Sequence, residues 1–296
     1  MITINIDPNA GFCPGVTKAI NIAGQLLQGN IDVFSLGELV HCPEELNRLE
    51  DNGLRIISPG DLDTLTNSKI LIRAHGVTPE TQYKLQLSSN EVVDATCKIV
   101  HSLQQKVKTS SLRMQSIGGQ IVIFGKRKHP EVEGLIGYCS SKVVVVENAD
   151  DLSGIDLNSP MDIFAQTTIN VSDFERFVSN LFLQFIGLGI NNENVQIFNT
   201  ICGSIKHRVP NLKSFAQNND VIVFVSGEQS SNGAYLSSIS KGVNVNTYKI
   251  SDEKQLKSEW FEGARKIGIT GAASTPNWLL EKVALEIEHL TNYKSE

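Results

Sequence analysis

Apolar runs of strand length alternate with segments of helical period along the whole chain, and this alternation restricts the fold more than any other feature. Strands are expected at 2–6, 32–36, 70–74, 91–95, 121–125, 143–147, 162–166, 195–198, 221–225 and 267–271. Strands separated by helices are joined by crossovers, so the chain reads as α/β with mainly parallel sheets. The helices carry their own signals. Pro14, Pro43, Pro79, Pro130 and Pro276 stand where a first helical residue is expected, and Ser172 with Glu175 makes a capping box ahead of Phe174, Phe177, Val178, Leu181 and Phe182.

A chain of 296 residues has room for two or three domains with a substantial core. No segment offers the roughly 18 consecutive apolar residues of a membrane helix. The start Met1-Ile2-Thr3-Ile4-Asn5-Ile6 alternates like a strand and lacks the basic, long apolar pattern of a signal peptide. A cytoplasmic protein without membrane attachment is expected. The formal charge of -6 argues against nucleic acid as a partner, but leaves room for a small anion held locally by helix ends.

Five cysteines are present, Cys13, Cys42, Cys97, Cys139 and Cys202. An odd number without an export signal turns attention from disulfides to a metal site or a catalytic thiol. Cys13, Cys97 and Cys202 each follow an expected strand and precede an expected helix, where the helix N-terminus stabilises a thiolate. Cys42 and Cys139 read as ordinary buried thiols. The recurring order of strand, cysteine and helix suggests three α/β lobes, at 14–97, 98–194 and 195–296, with strand 1–13 joining the last. Asn191-Asn192-Glu193-Asn194 is the linker candidate.

Ligands of parallel α/β sheets bind beyond the carboxyl ends of the strands. His41, His75 and His129 lie at such turns, as do Ser230-Ser231-Asn232 and Ser274-Thr275. Hydroxyl and amide groups before a helix add donors to its free N–H groups, so together these residues suggest a phosphate or diphosphate cradle. Taken singly, each is equally well a helix cap or a surface histidine. His101, His207 and His289 read as surface residues. No Walker or dinucleotide fingerprint occurs, which disfavours a nucleotide. Zinc sites usually show a close cysteine pair, absent here, and a cysteine nucleophile employs one thiol. An iron–sulfur cluster with three cysteine ligands accounts for all three, and three ordinary thiols at helix starts is the alternative.

The residues Ala10-Gly11-Phe12-Cys13-Pro14-Gly15-Val16, Glu38-Leu39-Val40-His41, Ala74-His75-Gly76-Val77, Asp94-Ala95-Thr96-Cys97, His129-Pro130-Glu131-Val132-Glu133-Gly134, Gln166-Thr167-Thr168, Cys202, Ser230-Ser231-Asn232 and Gly271-Ala272-Ala273-Ser274-Thr275-Pro276 resemble, over nearly the whole chain, the 4-hydroxy-3-methylbut-2-enyl diphosphate reductases of the non-mevalonate isoprenoid pathway. The resemblance implies a trefoil of three α/β lobes around a central [4Fe-4S] cluster held by Cys13, Cys97 and Cys202. It implies that His41, His75, His129, Ser230, Asn232 and Ser274 hold the diphosphate, with Ser231 adjacent. Glu131 would deliver protons, with His129 beside it, while Thr167 would position the substrate hydroxyl and relay its proton, with Gln166 nearby.

The chemistry so implied is reductive dehydroxylation of the allylic diphosphate at the open iron, giving isopentenyl and dimethylallyl diphosphate, with ferredoxin or flavodoxin as electron donor. A carboxylate in the first turn of a helix is favoured as the anion, which opposes a proton-donor role for Glu131 unless burial reverses it. One stretch departs from the family pattern. After Cys202 only Arg208 of Gly203-Ser204-Ile205-Lys206-His207-Arg208-Val209 fits, and Pro210 follows where a helix should continue. Two other readings remain: an iron–sulfur dehydratase needing no reductant, and a non-enzymatic cluster-bearing sensor.

Overall fold

The computed structural model describes residues 2–191 and 193–292. The linker candidate at 191–194 includes Asn192, which lies outside the described residues. Twelve strands occur among the described residues: β1 (Thr3–Ile6), β2 (Val33–Leu36), β3 (Leu54–Ile57), β4 (Lys69–Ile72), β5 (Glu91–Asp94), β6 (Gln120–Phe124), β7 (Lys142–Val146), β8 (Met161–Ala165), β9 (Val195–Phe198), β10 (Val221–Val225), β11 (Thr247–Ile250) and β12 (Lys266–Gly271). The α-helices are α1 (Pro14–Leu26), α2 (Pro43–Asp51), α3 (Pro79–Leu87), α4 (Lys98–Ser116), α5 (Pro130–Gly137), α6 (Val171–Leu188), α7 (Gly203–Gln217), α8 (Ser231–Val243) and α9 (Asn277–Asn292). None is long and apolar enough to cross a membrane.

The strands form three four-stranded sheets, and the expected α/β class with parallel pairing is the one observed. One sheet runs β1-β12-β10-β11 and another β7-β6-β8-β9, and their pairings are parallel throughout. The remaining sheet contains β2 to β5, with β4 and β5 parallel. By its contacts the chain divides into two compact units. One holds the chain up to Ile56 and from Gly203 onward; the other holds Ile57–Cys202.

In the second unit the alternation of a strand becomes two separate cores. Val122 and Phe124 of β6 pack with Phe174, Phe177, Leu181 and Phe185 of α6, and the Phe124 and Phe177 rings stack at 5.0 Å. Ile121 and Ile123 point the other way, into Leu103, Val107 and Met114 of α4. Successive side chains alternate across a strand, so a sheet covered on both faces needs an unbroken apolar run.

Three sequence expectations are corrected. The N-cap of α6 is Asn170, not Ser172: its side chain accepts the Ser172 N–H at 2.9 Å, and the helix starts at Val171. Pro14, Pro43, Pro79 and Pro130 open their helices as expected, but Pro276 stands just before α9. Pro210 does not end α7, which runs through it to Gln217. A proline inside a helix removes one backbone donor, which the surrounding turns of this helix tolerate.

Candidate active site

The parallel pairing of β4 and β5 extends past their ends. Ala95 N–H donates to Ile72 O and Cys97 N–H to Ala74 O, each at 3.0 Å. Asp94 Oδ1 accepts from Thr96 N at 2.8 Å and Thr96 Oγ1 at 2.5 Å, which turns the chain into α4 with Cys97 as N-cap. His75 lies in the facing turn. The next residue, Gly76, has φ +71°, a conformation that favours glycine. The His75 and His129 rings meet edge to face, with centroids 5.3 Å apart.

Two strand ends of the same unit, those of β6 and β8, bring Gln166, His129, Glu131 and Thr167 into one hydrogen-bonded group. Gln166 Oε1 accepts Lys126 N–H at 2.9 Å, holding the turn that leads to His129. His129 is the N-cap of α5, and its Nδ1 accepts the Glu131 N–H at 3.2 Å. As an acceptor Nδ1 carries no proton, which places the proton of the neutral ring on Nε2. Glu131 is 1% exposed and Thr167 4%. Thr167 donates twice to the carboxylate, from N to Oε1 at 2.7 Å and from Oγ1 to Oε2 at 2.5 Å. The Thr167 carbonyl accepts the Cys202 N–H at 2.9 Å. Burial pushes the Glu131 carboxyl above its ordinary value, against the opposing pull of the two Thr167 bonds.

The other unit brings together the small polar residues. Ser230 caps α8 by accepting the Gly233 N–H at 3.0 Å, and its hydroxyl lies 3.4 Å from that of Ser274. Asn232 Oδ1 accepts the Ala273 N–H at 2.7 Å, while Ala273 O accepts the Cys13 N–H at 3.0 Å. Gly227 packs so closely on the backbone of His41 that a Cβ would stand 2.3 Å from His41 O. Ser230, Ser274, Asn232, Cys13 and His41 thus share one neighbourhood.

The LytB protein family model matches residues 4–288. The chain belongs to that family. It is 37% identical over 291 residues to a 4-hydroxy-3-methylbut-2-enyl diphosphate reductase of Bacteroides thetaiotaomicron, covering 98% of this chain and 99% of that one. It is also 37% identical to the enzyme of that name from Chlorobium phaeovibrioides, covering 96% and 98% of the two chains. A solved (E)-4-hydroxy-3-methyl-but-2-enyl diphosphate reductase, described as the terminal enzyme of the non-mevalonate pathway, aligns with TM-score 0.69 at 34% identity over 98% of this chain and 100% of that one. An E-1-hydroxy-2-methyl-but-2-enyl-4-diphosphate reductase from Plasmodium falciparum shares the fold with TM-score 0.81 at 24% identity over 95% and 86% of the two chains.

In this LytB protein four of the five cysteines stand at helix starts. Cys13 and Cys97 are N-caps of α1 and α4, Cys202 directly precedes α7, and all three are partly accessible. Cys42 also caps a helix, α2, yet it is 1% exposed and burial pushes its thiol up to about 11. Helix position alone therefore does not leave a thiol accessible. Cys139, expected as a buried thiol, is partly accessible like Cys13, Cys97 and Cys202 but follows α5 instead of opening a helix, and its surroundings push its thiol up to about 12. Each of Cys13, Cys97 and Cys202 is, taken by itself, a partly accessible thiol at a helix start, the chemistry of an iron–sulfur ligand. Ser231 Oγ and Asn232 Nδ2 are buried with no partner among the described residues. Two such donors beside Ser230 and Ser274 suit an anionic oxygen.

His101, His207 and His289 are exposed, as expected. Sequence reasoning missed Arg208, whose guanidinium reaches the backbone of the turn before Cys13. Its only signal was its match to the family pattern in a stretch that otherwise departs from it. The part of Gln166 in fixing the turn before His129 was likewise missed, although the Gln-Thr-Thr motif had marked its position.

Proposed function

We propose that this protein reduces (E)-4-hydroxy-3-methylbut-2-enyl diphosphate to isopentenyl and dimethylallyl diphosphate, in the cytoplasm and with ferredoxin or flavodoxin as electron donor. Cys13, Cys97 and Cys202 hold a [4Fe-4S] cluster in this reading. When bound, the cluster supplies electrons and an iron with an open position that acts as a Lewis acid. The reaction takes up two electrons and two protons and releases water. One proton leaves with the hydroxyl oxygen, and the other goes to either end of the allyl anion, which accounts for two products.

The diphosphate is the ligand of His41, His75, His129, Ser230, Ser231, Asn232 and Ser274. His129 donates from Nε2, since its Nδ1 is engaged by the Glu131 N–H. Glu131 stores a proton, and Thr167 Oγ1 passes protons between the carboxyl and the substrate hydroxyl along the 2.5 Å contact. The lobes are read as 14–97, 98–194 and 195–296 with strand 1–13; the pairing of β1 with β12 supports placing that strand in the last lobe, whereas β9 (Val195–Phe198) pairs with β8 and so belongs to the sheet of the second lobe, which moves that boundary past Phe198.

The observation that carries the proposal is the buried Glu131–Thr167 pair, whose threonine carbonyl also fixes the Cys202 amide. It joins a proton source to a candidate cluster ligand. An anaerobic assay of the reconstituted protein with the hydroxylated diphosphate and reduced viologen dye tests it. Dye oxidation that depends on substrate and yields the two isoprenoid diphosphates is expected; a cluster-loaded protein inert to this substrate would overturn the proposal. Water loss without consumption of dye would identify a dehydratase instead.

A further inference from the structure

Arg208 lies on α7, and one of its guanidinium nitrogens, Nη2, donates to Asn9 O at 2.6 Å and Gly11 O at 2.7 Å. Those carbonyls belong to the turn that delivers Cys13 to the start of α1. The turn is shaped from its other side as well. Asp7 Oδ1 accepts the Asn9 N–H at 2.9 Å, Asp7 Oδ2 accepts the Thr270 hydroxyl at 2.8 Å, and Gly11 takes φ +98°. Arg208 and Cys13 both line a cavity of about 210 Å³, together with Phe12, His207, Asn211 and Ala273. The second terminal nitrogen of Arg208, Nη1, is buried and has no partner among the described residues. Burial lowers the guanidinium's proton affinity, while the neighbouring charges of Asp7 and Cys13 oppose that effect. An arginine so placed remains charged.

We infer that Arg208 is a positioning residue for Cys13, clamping the 9–11 turn that delivers Cys13 and holding its positive charge beside that residue. The inference rests on the proposed cluster. Charge and hydrogen bonds near the sulfur atoms are the means by which a protein sets the potential of such a group. A cation stabilises the more negative, reduced state, so Arg208 raises the potential. Lysine preserves the charge but reaches both carbonyls less well than the planar fork, and glutamine preserves a donor without charge.

The test is a dye-mediated redox titration of the full, cluster-loaded chain as wild type, Arg208→Lys and Arg208→Gln. Arg208→Gln is expected to lower the reduced-to-oxidised ratio about tenfold at a fixed solution potential, about 59 mV for a one-electron couple. Arg208→Lys is expected to stay within about threefold of wild type, as it retains the charge. An unchanged potential in a cluster-bearing Arg208→Gln overturns the inference alone; a wild-type chain that takes up no cluster overturns the reductase reading and this inference with it. If Arg208→Gln takes up no iron, the melting temperatures of the iron-free chains decide. Unchanged melting with iron uptake rescued by Arg208→Lys supports the positioning role, whereas a collapse of melting in both variants reduces Arg208 to a support of the fold.

Discussion

Glu131 stands in the first turn of α5, where the helix dipole favours its anion by about 0.3–1 kcal/mol. Burial acts in the opposite direction and can raise a carboxyl by several pH units. At 1% exposure burial prevails, and the net displacement is upward. The sign of the pH dependence follows. A carboxyl whose folded value exceeds its unfolded one contributes stability below the unfolded value, ordinarily about 4.5, and that contribution disappears as pH rises through the folded value. Unfolding of the wild type should therefore become easier across that window than unfolding of Glu131→Gln, whose amide does not titrate. Turnover should fall with rising pH as the stored proton is lost. Glu131→Gln should preserve the cluster absorption spectrum and abolish turnover, and substantial remaining activity would remove Glu131 from the proton path.

At the scale of the element, α6 shows how a local signal can be read at the wrong residue. Ser172 with Glu175 has the spacing of a capping box, but Asn170 is an equally good cap two residues earlier and satisfies the Ser172 N–H. In thermal or denaturant unfolding, Asn170→Ala should cost about 1 kcal/mol and Ser172→Ala under about 0.5 kcal/mol; the reverse order would return the cap to Ser172. The strands with uninterrupted apolar runs, such as β6 and β10, were legible because burial on both faces dictates composition. Leu54–Ile57 and Thr247–Ile250 were missed, since each is four residues long with an exposed basic residue, Arg55 or Lys249, inside it. The start-of-helix setting of Cys13, Cys97 and Cys202 was legible for the same reason as the strands: it is a matter of neighbours along the chain. The burial of Glu131 was not, because it depends on Thr167, 36 positions away. The Arg208 clamp on Gly11 spans 197 positions and was equally invisible to local pattern.

For the whole molecule, the three candidate ligands follow three different strands, β1, β5 and β9, and lie far apart in sequence. The unfolded chain does not hold such residues together, so a cluster bound to all three binds the folded state alone. Its binding free energy then adds to folding stability, by about 2.7 kcal/mol when free ligand stands at a hundred times its dissociation constant. Removing iron with a chelator under anaerobic conditions should therefore lower the melting temperature by several degrees. Cys97→Ser tests whether this stabilisation passes through the proposed ligand set. Serine preserves the size of the N-cap residue and adds a better cap acceptor, so the iron-free variant should melt no lower than iron-free wild type. After reconstitution the variant should contain little iron and sulfide and should gain none of the increase in melting temperature that wild type gains. Normal iron and sulfide content in Cys97→Ser would contradict the ligand assignment, while low iron content with wild-type stabilisation would show that the stabilisation comes from somewhere other than the cluster.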